Sequence, residues 1–230
     1  MCRVCLDSVR PFEADYFCSA CRTPFANPYP LDEEGRCLLC RRGMNRYDAL
    51  YCYGAYDGIL RDLIHLFKYG RVTTLAKPLS ACLLQAAPGR ERFDALVPMP
   101  MHWRRRLRRG FNQAALLARE FARKTSLPVE PGLLRVKARP PQAGLSNAER
   151  RRNVAGVFAV RAGYEFRNRR VLLVDDVVTT GATAAAAAAA LKSAGAAHVA
   201  VLAVARADRR WFSFPGPDQV RDPDFFRGSF

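Results

Sequence analysis

The chain has 230 residues and a hydrophobic share of 50%, enough to bury a full core, and its length fits one main domain of ordinary size with an appendage. No run approaches the ~20 uninterrupted apolar residues of a membrane helix, and the opening MCRVCLDSVRPFEADYF lacks the apolar stretch of a signal peptide, so the expectation is a cytoplasmic protein without a transmembrane segment. A formal net charge of +16, with 32 Arg against 5 Lys, argues for polyanionic partners: nucleic acid, anionic lipid or a phosphorylated small molecule.

Residues 1–45 hold three C-x-x-C pairs, Cys2/Cys5, Cys18/Cys21 and Cys37/Cys40, and no sustained apolar period. With no export signal, paired spacing of this kind reads as metal ligation rather than disulfides. A segment with so little to bury needs a staple from outside the hydrophobic effect. Fifteen residues separate the second pair from the third, a spacing at which Cys18, Cys21, Cys37 and Cys40 close a tetrahedral four-thiolate zinc site. Such a set leaves no position for substrate, so the zinc is read as structural. Pairing Cys2/Cys5 with Cys18/Cys21, across twelve residues, stays open as the rival. Either choice leaves two cysteines over, which suggests a missing upstream pair or a start before Met1. Cys52 and Cys82 stand alone in apolar surroundings and are expected to be buried and inert.

The texture changes near residue 46, where a main domain over 46–210 is expected to begin, followed by an extension over 211–230. An aromatic, strand-like stretch precedes Leu60, Leu63, Ile64 and Phe67, which fall at helical spacing. Lys68, just beyond, is read as a surface lysine whose stem snorkels, with approach to a phosphate as the alternative. RFDALVPMP predicts a short buried strand ending at two prolines, and residues 112–124 an amphipathic helix with Asn112 near its start. RVLLVDD is a further strand, ATAAAAAAALKSA a helix closed by Gly195, and HVAVLAVA another strand. Alternation of this kind predicts an α/β fold with a parallel sheet flanked by helices. In such sheets ligands bind outside the carboxyl ends of the strands, where Asp175 and Asp176 fall.

The stretch VLLVDDVVTTGAT, residues 171–183, carries the chemistry. Its turn offers hydroxyls, a glycine that permits close approach, and unpaired N–H groups leading into a helix, which together cradle a phosphate. The two aspartates would repel that phosphate unless they address another part of the ligand, and a sugar phosphate satisfies both: phosphate in the turn, vicinal hydroxyls on the carboxylates. Positive charge developing on the ring during loss of an anomeric leaving group would be stabilised by the same carboxylates.

This stretch resembles the phosphoribosyl diphosphate signature of type I phosphoribosyltransferases. The resemblance implies that Asp175 and Asp176 meet the ribose hydroxyls and act catalytically, and that Thr179, Thr180, Gly181, Ala182 and Thr183 wrap the 5′-phosphate. LVPMPMHWRRRLRRGFNQAALLA and PPQAGLSNAERRRNVAGVF are similar to two segments of the ComF family of competence proteins, whose members often carry an N-terminal cysteine module. Together these imply a type I phosphoribosyltransferase-like parallel sheet with a small zinc-ribbon-like module. They nominate Pro98, Met99, Pro100 and Met101 as a diphosphate loop, with Arg106 and Arg109 as clamps. They also nominate Gln142, Arg150 and Asn153 as a hood over the site. The implied ligand is phosphoribosyl diphosphate with Mg²⁺, and the implied process is DNA uptake, with a helicase or other competence protein as partner. Two further readings stay open: a non-catalytic adaptor holding single-stranded DNA by its phosphates, with Trp103 and Phe111 as stacking surfaces, and a nucleotide-salvage transferase. No general base stands out among the three histidines.

Overall fold

The computed structural model describes residues 9, 11, 14–25, 27–89, 91–101, 107, 109–136 and 157–207. Strands β1 (Tyr16–Phe17) and β2 (Pro24–Phe25) pair antiparallel, and a short helix α1 (Leu38–Arg41) follows. Strand β3 (Ala49–Ala55) then leads into α2 (Gly58–Tyr69), a 3-10 turn (Thr73–Leu75) and α3 (Ala76–Ala86). After β4 (Ala95–Pro98) come α4 (Gln113–Thr125) and an antiparallel pair, β5 (Leu133–Arg135) and β6 (Phe158–Val160). Strand β7 (Arg170–Val178), helix α5 (Ala182–Ser193) and strand β8 (His198–Arg206) complete the order.

The main sheet is parallel throughout, in the order β3-β8-β7-β4. Its central strands are buried on both faces, as the continuous apolar runs of β7 and β8 require. Alternate residues divide between two cores. Leu172, Val174, Ala200, Leu202 and Val204 face α2, α3 and α4 through Leu63, Ile64, Phe67, Leu79, Leu83, Leu117 and Phe121. Val171, Leu173, Val199, Val201 and Ala203 face the other way, against Ala184 to Ala188 and Leu191 of α5. Alanine suits that second face because a side chain of one methyl lets the helix approach the sheet closely, and Ala187 and Ala188 are fully buried.

The second core extends into the cysteine-rich segment. Cys18, Cys21, Phe25, Cys37, Leu39 and Tyr47 belong to the same buried cluster as Val178 and Ala184 to Ala188. The sequence leads one to expect a segment held only by an external staple, whereas Phe25 is 2% exposed and Tyr47 3%. Phe25, Leu39 and Tyr47 are too scattered to show a period, yet all three are buried in this core.

The crossovers create the crevice. The chain leaves β4 for α4 on one face and leaves β7 for α5 on the other, so the adjacent carboxyl ends of β4 and β7 open between two diverging helices. The last rung of that pair is Pro98 with Val174, extended by the Met99 N–H donating to the Val174 carbonyl at 2.8 Å. Asp175 and Asp176 are the next residues of β7. The fold therefore delivers both carboxylates to the crevice.

Candidate active site at the carboxyl edge of the sheet

A polar cavity of about 270 Å³ occupies the crevice. Asp175 and Asp176 line it together with Thr179, Gly181 and Thr183 of the turn, Met99, Pro100 and Met101 after β4, and Arg109, Asn112, Gln113 and Ala114 at the start of α4. Pro98 is instead a buried strand residue whose pairing with Val174 ends the β4–β7 ladder, so the loop begins one residue later than expected. Thr180 and Ala182 are exposed and off this wall, the Ala182 N–H donating to Thr180 Oγ1 at 3.4 Å. Arg106, Gln142, Arg150 and Asn153 lie outside the described residues, as do Cys2, Cys5 and Trp103.

The acid pair is not left bare. Lys68, at the end of α2, sets its ammonium 2.9 Å from Asp176 Oδ1, and both side chains are largely buried. The expectation of a snorkelling surface lysine is thereby corrected. Helix α2 ends beside the carboxyl edge, a tertiary relation that local sequence does not carry. Burial, and then the charge of Asp176, raise the Asp175 carboxyl to about 8. Asp175 Oδ1 also accepts from the Asp176 N–H at 2.8 Å. Arg135 of β5 adds another cation to the wall.

Two helix starts face this cavity. Asn112 caps α4, its Oδ1 accepting from the Ala114 N–H at 3.0 Å, as the sequence predicts. Its Nδ2 donates to the Met99 carbonyl at 3.0 Å and so ties the helix start to the loop after β4. Across the cavity, Gly181 begins α5 at φ +81°, a left-handed conformation that glycine adopts without strain. A Cβ there would also lie 2.8 Å from Tyr47 Oη and 3.1 Å from Leu39 Cδ1. The phosphate-type turn thus rests directly on the cysteine-rich segment.

That segment brings Cys18, Cys21, Cys37 and Cys40 together, with sulfur atoms all within 4.8 Å of one another. The set is the one favoured by spacing, and it could hold a metal ion. A tetrahedron with metal–sulfur bonds of about 2.3 Å has edges of about 3.8 Å. Cys21 Sγ and Cys37 Sγ lie 3.8 Å apart, so the donor set fits zinc. The Cys37 N–H donates to Cys18 Sγ at 3.3 Å. From the cluster a chain of contacts leads to the turn: Cys21 Sγ to Thr23 Oγ1 at 3.0 Å, Thr23 Oγ1 to Tyr47 Oη at 3.2 Å, and Tyr47 against Gly181. Cys82 is buried and Cys52 half-buried, and burial pushes their thiols up to about 11 and about 12. Neither is a reactive thiolate.

Comparison with known proteins agrees with this geometry. Residues 107–213 match the family model of the phosphoribosyl transferase domain, and the class that fold and site define is a phosphoribosyltransferase-type α/β protein with a four-cysteine cluster. Competence protein F of Haemophilus influenzae is 31% identical over 215 residues, covering 90% of each chain. The DNA utilization protein YhgH of Escherichia coli K12 is 32% identical over 216 residues, and that of Salmonella typhimurium 33% over 214, each again with 90% of both chains covered. The chain belongs to this family of competence protein F and DNA utilization proteins. Among solved structures, a glutamine phosphoribosylpyrophosphate amidotransferase from B. subtilis superimposes with a TM-score of 0.41 at 24% identity, over 56% of this chain and 26% of that one. No helix among the described residues is long and apolar enough to cross a membrane.

Asn112, Gln113, Arg135 and Tyr47 line or support the site without having been singled out for it by sequence, although Asn112 and Gln113 stand inside the GFNQ motif, and Lys68 was raised only as the less favoured alternative. If Tyr47 limits the space at Gly181, Gly181→Ala should cost about 2 kcal/mol from φ strain and overlap combined. Adding Tyr47→Phe removes the overlapping hydroxyl and should recover part of that loss. Urea denaturation of the two single variants and the double variant measures the coupling, and simple additivity would contradict the contact.

Proposed function

We propose that this protein binds 5-phosphoribosyl diphosphate together with Mg²⁺ at the carboxyl edge of its sheet, and that it works in the handling of incoming DNA. The observation carrying this reading is the meeting, in one cavity, of two carboxylates with two helix starts on opposite walls. A ligand anionic at both ends with a diol between them matches that order of groups. The names of the relatives, competence protein F and DNA utilization protein, support the process.

In this reading Thr179, Gly181 and Thr183 receive the 5′-phosphate at the start of α5, whose partial positive charge favours an anion. Thr180 and Ala182 complete the turn. Asp175 and Asp176 accept from the ribose hydroxyls and share positive charge that develops at the anomeric carbon. Met99, Pro100, Met101 and Arg109 face the diphosphate. Lys68 holds Asp176 as a charge pair before ligand arrives and stands near enough to compensate phosphate charge afterwards. Bound Mg²⁺ would neutralise diphosphate charge and improve the leaving group. Zinc on Cys18, Cys21, Cys37 and Cys40 is structural, since four thiolates close its coordination shell.

A second reading has an observation of its own. Net charge is +16, and Tyr16, Phe17 and Tyr29 of the cysteine-rich segment are exposed, an arrangement suited to single-stranded DNA through phosphate contacts and base stacking. Affinity for a labelled single-stranded oligonucleotide should then fall steeply between 50 and about 200 mM salt. A flat salt profile in a filter or anisotropy assay would remove this reading.

For the principal reading, calorimetric titration of phosphoribosyl diphosphate with Mg²⁺ should give saturable binding to the wild type and at least about tenfold weaker binding to Asp175→Asn/Asp176→Asn, the loss of ~1.4 kcal/mol or more. Equal affinity in the two proteins would refute the assigned role of the carboxylates. The raised Asp175 carboxyl gives a second expectation. Its proton is retained in the folded chain where the unfolded chain, titrating near 3.8, has released it. Stability should therefore fall as pH rises from about 4 to about 8 and level off beyond, because the unfolded state binds fewer protons across that window. Urea midpoints measured against pH should show that slope in the wild type and a shallower one in Asp175→Asn.

A further inference from the structure

Gln113 is the first residue of α4 and is 1% exposed, a burial unusual for a side-chain amide unless both of its ends are satisfied. One end is. Arg109 Nη1 donates to Gln113 Oε1 at 3.4 Å, which fixes the amide orientation and turns Nε2 the other way. Arg109 is itself held, its guanidinium lying over the Tyr69 ring at 4.7 Å. Nε2 of Gln113 has no hydrogen-bond partner among the described residues, and neither has Nε of Arg109. Both residues line the cavity that contains Asp175 and Asp176, yet neither carboxylate accepts from them.

Two donors on this wall therefore have no acceptor among the described residues, Nε2 of the Gln113 amide and Nε of the Arg109 guanidinium, and they stand beside the start of a thirteen-residue helix whose cap binds the loop after β4. A buried amide donor left unpaired is costly, and the cavity beside it is the place from which an acceptor can come. An acceptor met by a helix start, a guanidinium and an amide is an anion rather than a neutral hydroxyl. The phosphate-type turn lies on the opposite wall, so this second anion lies at the far end of the same ligand.

Resting on the reading of the cavity as a phosphoribosyl diphosphate site, we propose that Gln113 determines specificity, donating its side-chain amide to the diphosphate end and so distinguishing phosphoribosyl diphosphate from ribose 5-phosphate. Ribose 5-phosphate carries the same phosphate and diol but leaves this donor unpaired. A site built to hydrogen-bond a ligand group discriminates strongly against an analogue lacking it.

The experiment compares phosphoribosyl diphosphate with Mg²⁺ against ribose 5-phosphate by calorimetry, using wild type, Gln113→Leu and Gln113→Glu. Leucine fills the buried position without a donor. Glutamate keeps the shape and removes the donor, so it serves if the leucine variant unfolds, and thermal melts establish that each variant is folded. The expected result is at least a tenfold loss for phosphoribosyl diphosphate in both variants, with ribose 5-phosphate changed less than twofold. Equal losses for the two ligands would mean that Gln113 only supports the helix start, and unchanged phosphoribosyl diphosphate affinity would mean that its amide is not used. Either result overturns this assignment alone. A wild type that binds neither ligand overturns the reading of the cavity and this assignment with it.

Discussion

Two adjacent carboxyl groups at the end of an apolar strand are the constraint around which the rest of the protein is arranged. Asp175 and Asp176 continue a run, Val171 to Val174, that is at most 1% exposed, so the carboxylates start from an environment hostile to both. An isolated buried carboxylate is costly, and a pair more so. Two responses are visible. Lys68 supplies an ammonium to Asp176, and Asp175 has its proton affinity raised. A sequence selected only for stability would place neither acid there, since removing a buried charge pair is often neutral or stabilising. The cost is consistent with a site prepared for hydroxyl donors and positive charge.

The turn that follows the acids depends on a different part of the chain. Gly181 sits against Tyr47 and Leu39, and Leu39 belongs to the short helix α1, which starts after Cys37 and carries Cys40. Thr23 and Tyr47 continue the contact back to Cys21. A metal in the four-thiol cluster would hold the loops that carry Thr23 and Leu39, and through them the floor of the turn. The cysteine-rich segment then reads as part of the ligand site's foundation. Its aromatic strand pair also leaves Phe17 exposed, at 54%.

What sequence made legible was whatever is local. The acid pair and the turn are contiguous, the Asn112 cap accepts from the N–H only two residues on, and the cysteine spacing favoured the four that the structure brings together because knuckle geometry is short-range. The parallel sheet followed from alternation of strand and helix. Lys68 was not legible as a partner of Asp176, because the ion pair joins the end of α2 to the end of β7 and neither segment signals the other. Nor was the burial of Phe25, Leu39 and Tyr47, which are isolated apolar residues with no shared period. The pairing of β5 with β6 rests on three residues per strand, too few for alternation to register. Gln113 was visible only as one letter of a motif, since an unpaired amide is a property of packing.

The account's central claim is that one ligand spans the cavity from the turn to the start of α4. A crystal structure of the zinc-loaded protein with phosphoribosyl diphosphate and Mg²⁺ tests it directly. The account predicts the 5′-phosphate within hydrogen-bond distance of the Thr179 to Thr183 backbone, the ribose hydroxyls at Asp175 and Asp176, and the diphosphate against Met99 to Met101 and α4. Ligand bound elsewhere, or an empty cavity at saturating concentration, would contradict it.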